Sequence, residues 1–339
     1  MRLQTQDSVN YNLIFLYIQQ LSPLIQNNQS HTTIKSSPIF APSFLMTQTT
    51  NKYTWIAAGL LFAALWASAS TATKIGLTIA QPLVIAVVRF GVAAVIMLTY
   101  THLIKGNRLP KGKEWKQLTI YGLLNITIYL GVYVIAMQSV TAGIGALAVA
   151  TNPVIISFLS VFFLKKKLTG PIVAALLLGA AGVVCAAWPL LGQAAVTAKG
   201  LALILFSMLS YSVGAIYFSA KGWNGLPLFT INGWQTLIGG LLLLPFALFN
   251  YNTALNHFNS TFWLSVLWLA IPVSIAAVLL WMWLLQRNAV RAGLWLFLCP
   301  LFGFAIAAWL MHDPISIYTL AGIALVIGGL VIAQRSTKR

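Results

Sequence analysis

Very few side chains in this sequence can move a proton or hold an ion, and none that can lies deep in an apolar stretch. The acidic residues are Asp7, Glu114 and Asp313, and the histidines are His31, His102, His257 and His312; all fall in the polar N-terminal stretch or in breaks between apolar segments. Catalysis needs a base, a nucleophile partner or metal ligands gathered in one place. No such set exists, so the sequence predicts no enzyme, no metal and no cofactor. Cys185 and Cys299 stand singly inside apolar segments, the usual setting of a small buried hydrophobe, and their spacing suggests neither a disulfide nor a metal site.

The chemistry left to the chain is that of binding. Arg89 is the one charge well inside an apolar segment, past Pro82 by about 10 Å of helix. Either it faces a cavity and meets a carboxylate or carbonyl of a bound solute, or its stem reaches a headgroup or helix-end carbonyls. Asn125, Tyr129 and Tyr133 recur at i, i+4 and i+8 and so fall on one helical face, where they line a cavity or join their helix to a neighbour. Trp66, Tyr211, Trp281 and Trp295 are candidate cavity walls, whereas Trp55, Trp115 and Trp263 stand at segment ends and read as interfacial residues. Pro153 and Pro300 fall well inside their segments, where each is expected to free a carbonyl and kink its helix. Asn152 and Cys299 beside them are further binding candidates; a packing kink without solute contact is the alternative. An aromatic, acid-free cavity suits a neutral, zwitterionic or apolar solute better than a bare cation. Gly143, Gly145, Gly179, Gly182, Gly322, Gly328 and Gly329 are expected to allow close helix approach.

These residues need a frame, and composition names its solvent. Of 339 residues, 59% are hydrophobic and 7% charged, against about 25% charged in a soluble domain; mean hydropathy is +0.87. A soluble fold is excluded. The net charge of +17 does not signal nucleic acid, because a basic nucleic-acid surface must be solvated and contiguous, and here Lys and Arg stand in short breaks between apolar runs. Windowed hydropathy places ten spans at 54–73, 82–102, 117–137, 142–164, 171–189, 200–219, 227–249, 263–285, 292–311 and 315–334. Each must be helical, because lipid offers no partner to an open backbone. With the N-terminus inside, fifteen basic residues flank the spans on the inner face, including the 105–116 connection, Lys165 to Lys167 and the basic end 335–339; only Lys74 and Lys199 flank the outer face. That asymmetry predicts both termini in the cytoplasm. Residues 1–50 are rich in Gln, Asn, Ser and Thr, and their one apolar run, Leu13 to Ile18, is too short for a span or a secretory signal. They read as a disordered tail, with a translation start at Met46 as the alternative.

The spans form two sets of five, 54–189 and 200–334. Shifted by 145 residues, Trp66 meets Tyr211 and Pro82-Leu83 meets Pro227-Leu228; shifted by 147, Pro153 meets Pro300, and Ala142, Leu147, Leu178, Gly182, Val184 and Ala186 meet identical residues. An odd number of spans per copy turns the second copy over in the bilayer, as in many secondary transporters. With these features the chain resembles the EamA-type permeases of the drug/metabolite transporter superfamily. The likeness is carried by Leu65-Trp66-Ala67-Ser68 running to Lys74, by Pro82 with Arg89, and by Ala142 to Pro153. It is carried further by Leu164-Lys165-Lys166-Lys167-Leu168-Thr169 and Met311-His312-Asp313-Pro314-Ile315-Ser316. Where the family usually has Glu in the last motif, this chain has Lys166 and Asp313.

The resemblance implies an all-α integral membrane protein with ten transmembrane helices as two inverted five-helix repeats. It implies an inner-membrane carrier, commonly an exporter of amino acids or other small metabolites, with a cavity lined by spans one, three, four, six, eight and nine. The expected partners are the lipid bilayer and a small-molecule metabolite. The expected mechanism is a rocking of the two halves around that cavity. Ion-coupled carriers usually hold their ion at an intramembrane carboxylate; none is present, so uniport, antiport and coupling through backbone carbonyls stay open. A lipid-directed or structural membrane protein is the alternative. In a variant with Cys185 and Cys299 replaced by Ser, single cysteines at Lys113 and Ser336 should react with an impermeant maleimide only when the cytoplasmic face is exposed. Labelling from opposite faces would refute the orientation.

Overall fold

The computed structural model describes residues 52–140, 145, 148–188, 197–311 and 317–335. The polar N-terminal stretch with Met46, the matches at Ala142 and Leu147, Gly143, the His312–Ser316 motif and the last four residues lie outside them. Every described element is helical. Helix α1 is Lys52–Leu77, α2 Pro82–Ile104, α3 Lys113–Ala136, α4 Asn152–Phe163 and α5 Gly170–Ala187. Helix α6 is Ala198–Ala220, α7 Leu228–Phe249, α8 Ser260–Arg287 and α10 Ile317–Arg335; α9 comprises Ala289–Leu294, a 3-10 turn at Trp295–Phe297 and Leu298–Met311. Among the described residues, α1, α2, α3, α6, α7 and α8 are long and apolar enough to cross a membrane, and shorter apolar helices lie at Asn152–Phe163, Gly170–Gly182, Ala289–Gly303 and Leu320–Ile332. Large apolar side chains face outward, with Val95, Phe158 and Leu264 65%, 61% and 70% exposed, a surface that suits acyl chains and not water.

Local sequence sets the helix starts. Pro82 opens α2 behind an extended Gln81, a position where the missing N–H is no loss. The side chains of Thr197, Asn259 and Asn288 accept the N–H groups of Gly200, Phe262 and Arg291, which removes donors left open at the starts of α6, α8 and α9. Gly112, at φ +47°, turns the chain into α3 with a backbone that glycine adopts without strain.

Pro153 and Pro300 behave differently from the mid-helix kinks expected of them. Pro153 is the second residue of α4, and Pro300 the third of Leu298–Met311. The winding changes just ahead of each, at the turn Ala150-Thr151 and at the 3-10 stretch Trp295–Phe297, while the flanking backbone stays right-handed. A proline in the first turn of a helix forfeits no hydrogen bond, whereas one in the middle does, so the helix restarts where proline stands. The two interruptions are neighbours, because a Cβ on Gly293 would lie 3.6 Å from the Cα of Pro153.

The two sets of helices interlock. Helix α1 packs against α8 and α9, and α6 packs against α3 and α4; the most extensive pairings are α5 with α10 and α2 with α7. Exchanging the sets preserves this pattern, as a two-fold axis would. The halves expected to rock are therefore not separate bodies, since each leading helix is held by the other set. Close approach rests on glycine. A Cβ on Gly122 would stand 2.6 Å from the Gln235 carbonyl oxygen, and one on Gly239 2.7 Å from that of Gly122. Gly182 and Gly329 serve α5 and α10 in the same way, their added Cβ atoms falling 2.7 Å from the Gly322 oxygen and 3.0 Å from the Ala175 oxygen. Gly328 meets nothing within 4 Å, so the role expected of it does not apply. Two equivalent helices also carry π-helical winding, Leu123–Ile128 in α3 and Leu269–Ala277 in α8, a winding that appears often at functional sites.

Gly239→Ala should lower the thermal midpoint of the detergent-solubilised protein, at an overpacking cost of about 1–3 kcal/mol. Gly91→Ala, whose Cβ meets nothing within 4 Å, should leave the midpoint in place or raise it. Equal midpoints would show that α3 and α7 are not in backbone contact.

Candidate functional site

A small, partly open cavity lies between the helices. Its lining includes Trp66 and Thr73 of α1, Arg89 of α2, Tyr129 and Tyr133 of α3, and Cys299 of α9. These positions fall in the C-terminal halves of α1 and α3 and the first half of α2, so the cavity sits toward the end of the bundle that carries the α1–α2 connection. At that end the Lys74 ammonium donates to the Met137 carbonyl, tying α1 to the end of α3.

Aromatic rings close the other side. Phe62 stacks on Trp281 at 5.0 Å and Trp281 on Tyr211 at 5.6 Å; Tyr211 lies 4.6 Å from Tyr129 and 5.7 Å from Trp66. Such pairs add about 0.5–1.5 kcal/mol each beyond their buried area. Phe62, Tyr211 and Trp281 are wholly buried, so Tyr211 and Trp281 form a floor beneath the cavity and not its wall. The Tyr211 hydroxyl and Trp281 Nε1 have no hydrogen-bond partner among the described residues. Trp295 stands apart from the cavity; its indole lies flat on Gly59, where a Cβ would come within 2.1 Å. Asn152 also turns elsewhere, donating to the Val149 carbonyl and the Met208 sulfur and accepting from Ser212 Oγ, which joins the start of α4 to α6.

Asn125 parts from Tyr129 and Tyr133 despite the four-residue spacing. It lies in the π-helical stretch Leu123–Ile128, whose wider turn carries it off the face that i, i+4 spacing implies. Its amide donates to Gln235 Oε1 at 3.2 Å, Gln235 donates to Asn232 Oδ1 at 2.9 Å, and Asn232 donates to the Ser274 carbonyl at 2.9 Å. Arg89 Nε donates to Ser274 Oγ at 2.7 Å. Every member is buried, and the chain of amides runs from the π-helical stretch of α3 to that of α8 across α7. Asn232, Gln235 and Ser274 escaped the sequence reading; the signal for them is two amides at i, i+3 in an otherwise apolar helix. Arg89 itself is 3% exposed and so does not reach a headgroup.

Helix α2 is fastened to the second set at both ends. Near Pro82, the Gln81 side-chain oxygen accepts from Asn252 N and Asn256 Nδ2 at 2.8 Å each, and its nitrogen donates to the Asn250 carbonyl at 2.7 Å. Beyond the other end, Arg108 donates to both Glu114 oxygens at 2.7 and 2.8 Å and to the Asn224 carbonyl at 3.0 Å; bonding to Glu114 raises the Arg108 pKa above its usual value. Trp234, which the repeat aligns with Arg89, donates to His102 Nε2 at 2.9 Å.

The sequence profile of the EamA-like transporter family matches residues 53–188 and again 198–334. The chain belongs to the EamA-like transporter family. Protein PecM of Dickeya dadantii is 28% identical over 259 residues, covering 75% of this chain and 83% of PecM. The transporter YvbV of Bacillus subtilis is 25% identical over 268 residues, covering 78% of this chain and 87% of YvbV. A solved crystal structure, 19% identical, superposes with a TM-score of 0.69 over 85% of this chain and 99% of its own, which shows the fold alone. This EamA-like protein is a multi-pass membrane transporter.

Tyr211→Phe should leave the thermal stability of the transporter unchanged or raise it, because the hydroxyl removed is buried and unbonded. Tyr211→Ala should cost about 3–5 kcal/mol by emptying the floor. Comparable losses in the two variants would show that the hydroxyl is bonded.

Proposed function

We propose that this EamA-like transporter exports a small metabolite, an amino acid or a similar neutral or zwitterionic solute, across a bacterial-type inner membrane by alternating access. Ten spans, grouped as inverted repeats over 54–189 and 200–334 with both termini in the cytoplasm, fit the charge asymmetry of the loops. The observation that carries the reading is a cavity lined by helices of both repeats, beside two interrupted helices and above an aromatic floor. In the proposed orientation the mouth faces outward and the floor seals the cytoplasmic side. Release of solute to one face and loading from the other then requires the floor to part as the mouth closes. The breaks ahead of Pro153 and Pro300 are natural hinges for that exchange, since broken helices in corresponding places mark transporter sites. The moving groups are α1 with α8 and α9 against α6 with α3 and α4, following the packing. Without an acid in the cavity lining, antiport or uniport suits the site better than coupling through a titrating carboxylate.

A lipid-directed protein is the competing reading, and the same preparation tests both. In proteoliposomes loaded with a mixture of amino acids, the intact chain should release at least one, and Tyr129→Ala and Pro153→Ala should each slow release about tenfold or more while remaining folded. Movement of lipid between leaflets with no solute release would favour the competing reading.

A further inference from the structure

The geometry points to Arg89 as a carboxylate receptor: the solute taken by this cavity presents a carboxylate to the Arg89 guanidinium, which lines the cavity with Trp66 and Tyr129. The inference rests on the transport reading above, and it moves the substrate class from neutral or zwitterionic solutes to carboxylates, excluding solutes without an anionic group.

Three observations carry it. First, the buried guanidinium lacks a counter-charge. Among the described residues the single ion pair is Arg108–Glu114, far along the chain from the cavity, and the other acids of the sequence, Asp7 and Asp313, lie outside the described residues. A buried cation is costly until an anion reaches it. Second, Arg89 is held by one edge only. Its Nε donates to Ser274 Oγ, and Ser274 is fixed through its own carbonyl by Asn232, Gln235 and Asn125. That support is neutral, so it orients the guanidinium without cancelling its charge. No hydrogen bond of the described residues uses the paired Nη nitrogens, the edge that receives a carboxylate in two-point fashion. The guanidinium carbon also lies 5.3 Å from the ring of Phe90, and Tyr129 and Tyr133 line the cavity with it. Third, Thr73 is 1% exposed, lines the same cavity, and its hydroxyl has no partner among the described residues. A buried hydroxyl without a bond is the complement of a second acceptor on an incoming solute. Lys74 next to it does not line the cavity and is engaged with the Met137 carbonyl, so it does not compete for the anion. Nothing acidic in the lining meets a cation.

The full chain in lipid nanodiscs tests this with 3-phenylpropionate, its uncharged amide and phenethylamine as probes. Equilibrium binding of radiolabelled 3-phenylpropionate should be about tenfold or more tighter than binding of the amide, the scale of a charge-assisted bond, and the amine should not compete. Arg89→Gln should bring the acid to the level of the amide; Arg89→Lys should keep part of the preference. Should Arg89→Gln fail to fold, Ser274→Ala keeps the charge but releases its anchor, and should weaken the acid several-fold with the amide unaltered. Equal binding of acid and amide, no binding of the acid, or a variant that loses both probes together would overturn the inference. In proteoliposomes, release of acid and amide at equal rates would overturn it while leaving transport standing; acid bound at Arg89 but never released across the membrane would remove the transport reading instead.

Discussion

Acyl chains do not press helices together, since a leucine gains little by leaving lipid for another leucine; this transporter is held by backbones in contact. The approach of α3 to α7 at Gly122 and Gly239 is the clearest case, and the atom that Gly122 nearly touches is the carbonyl of Gln235. Gln235 is also the middle member of the amide chain. Glycine on one helix thus brings α7 close enough for its amides to reach Asn125 on one side and Ser274 on the other. The position of Arg89 depends on that spacing at second hand.

The near-symmetry of the fold is broken where chemistry is located. In the first set Arg89 points a cation into the cavity; at the matching place in the second, Trp234 spends its single donor on His102. The fold supplies two equivalent sites, and the sequence makes one of them polar and the other a fastening. The aromatic floor is shared in the same uneven way, with Phe62 from the first set lying on Trp281 from the second.

Much of the frame was legible because lipid imposes a coarse rule: long apolar runs must be helices. Trp66, Arg89, Tyr129, Tyr133 and Cys299, far apart in sequence, meet around one cavity, and their types were enough to single them out. Asn125 was legible as a polar residue in a span but not in its direction, because hydrophobic periodicity assumes regular winding and the π-helical stretch changes the phase. The prolines announced an interruption without saying whether the helix bends there or starts again; only the neighbouring backbone decides that. Trp295 and Asn152 fall away from the cavity for a related reason, since which face of a helix meets a void depends on what its neighbours leave unfilled. Ser274 was hidden because serine is common in spans and nothing local marks the one that anchors an arginine.

Fastening α2 to the second set near Gln81 and again near Arg108 has a mechanical consequence. A strut pinned at both ends can twist about its own axis but cannot swing open like a jaw. Tied at both ends to the loops that flank α7, α2 and the Arg89 it carries belong mechanically with α7.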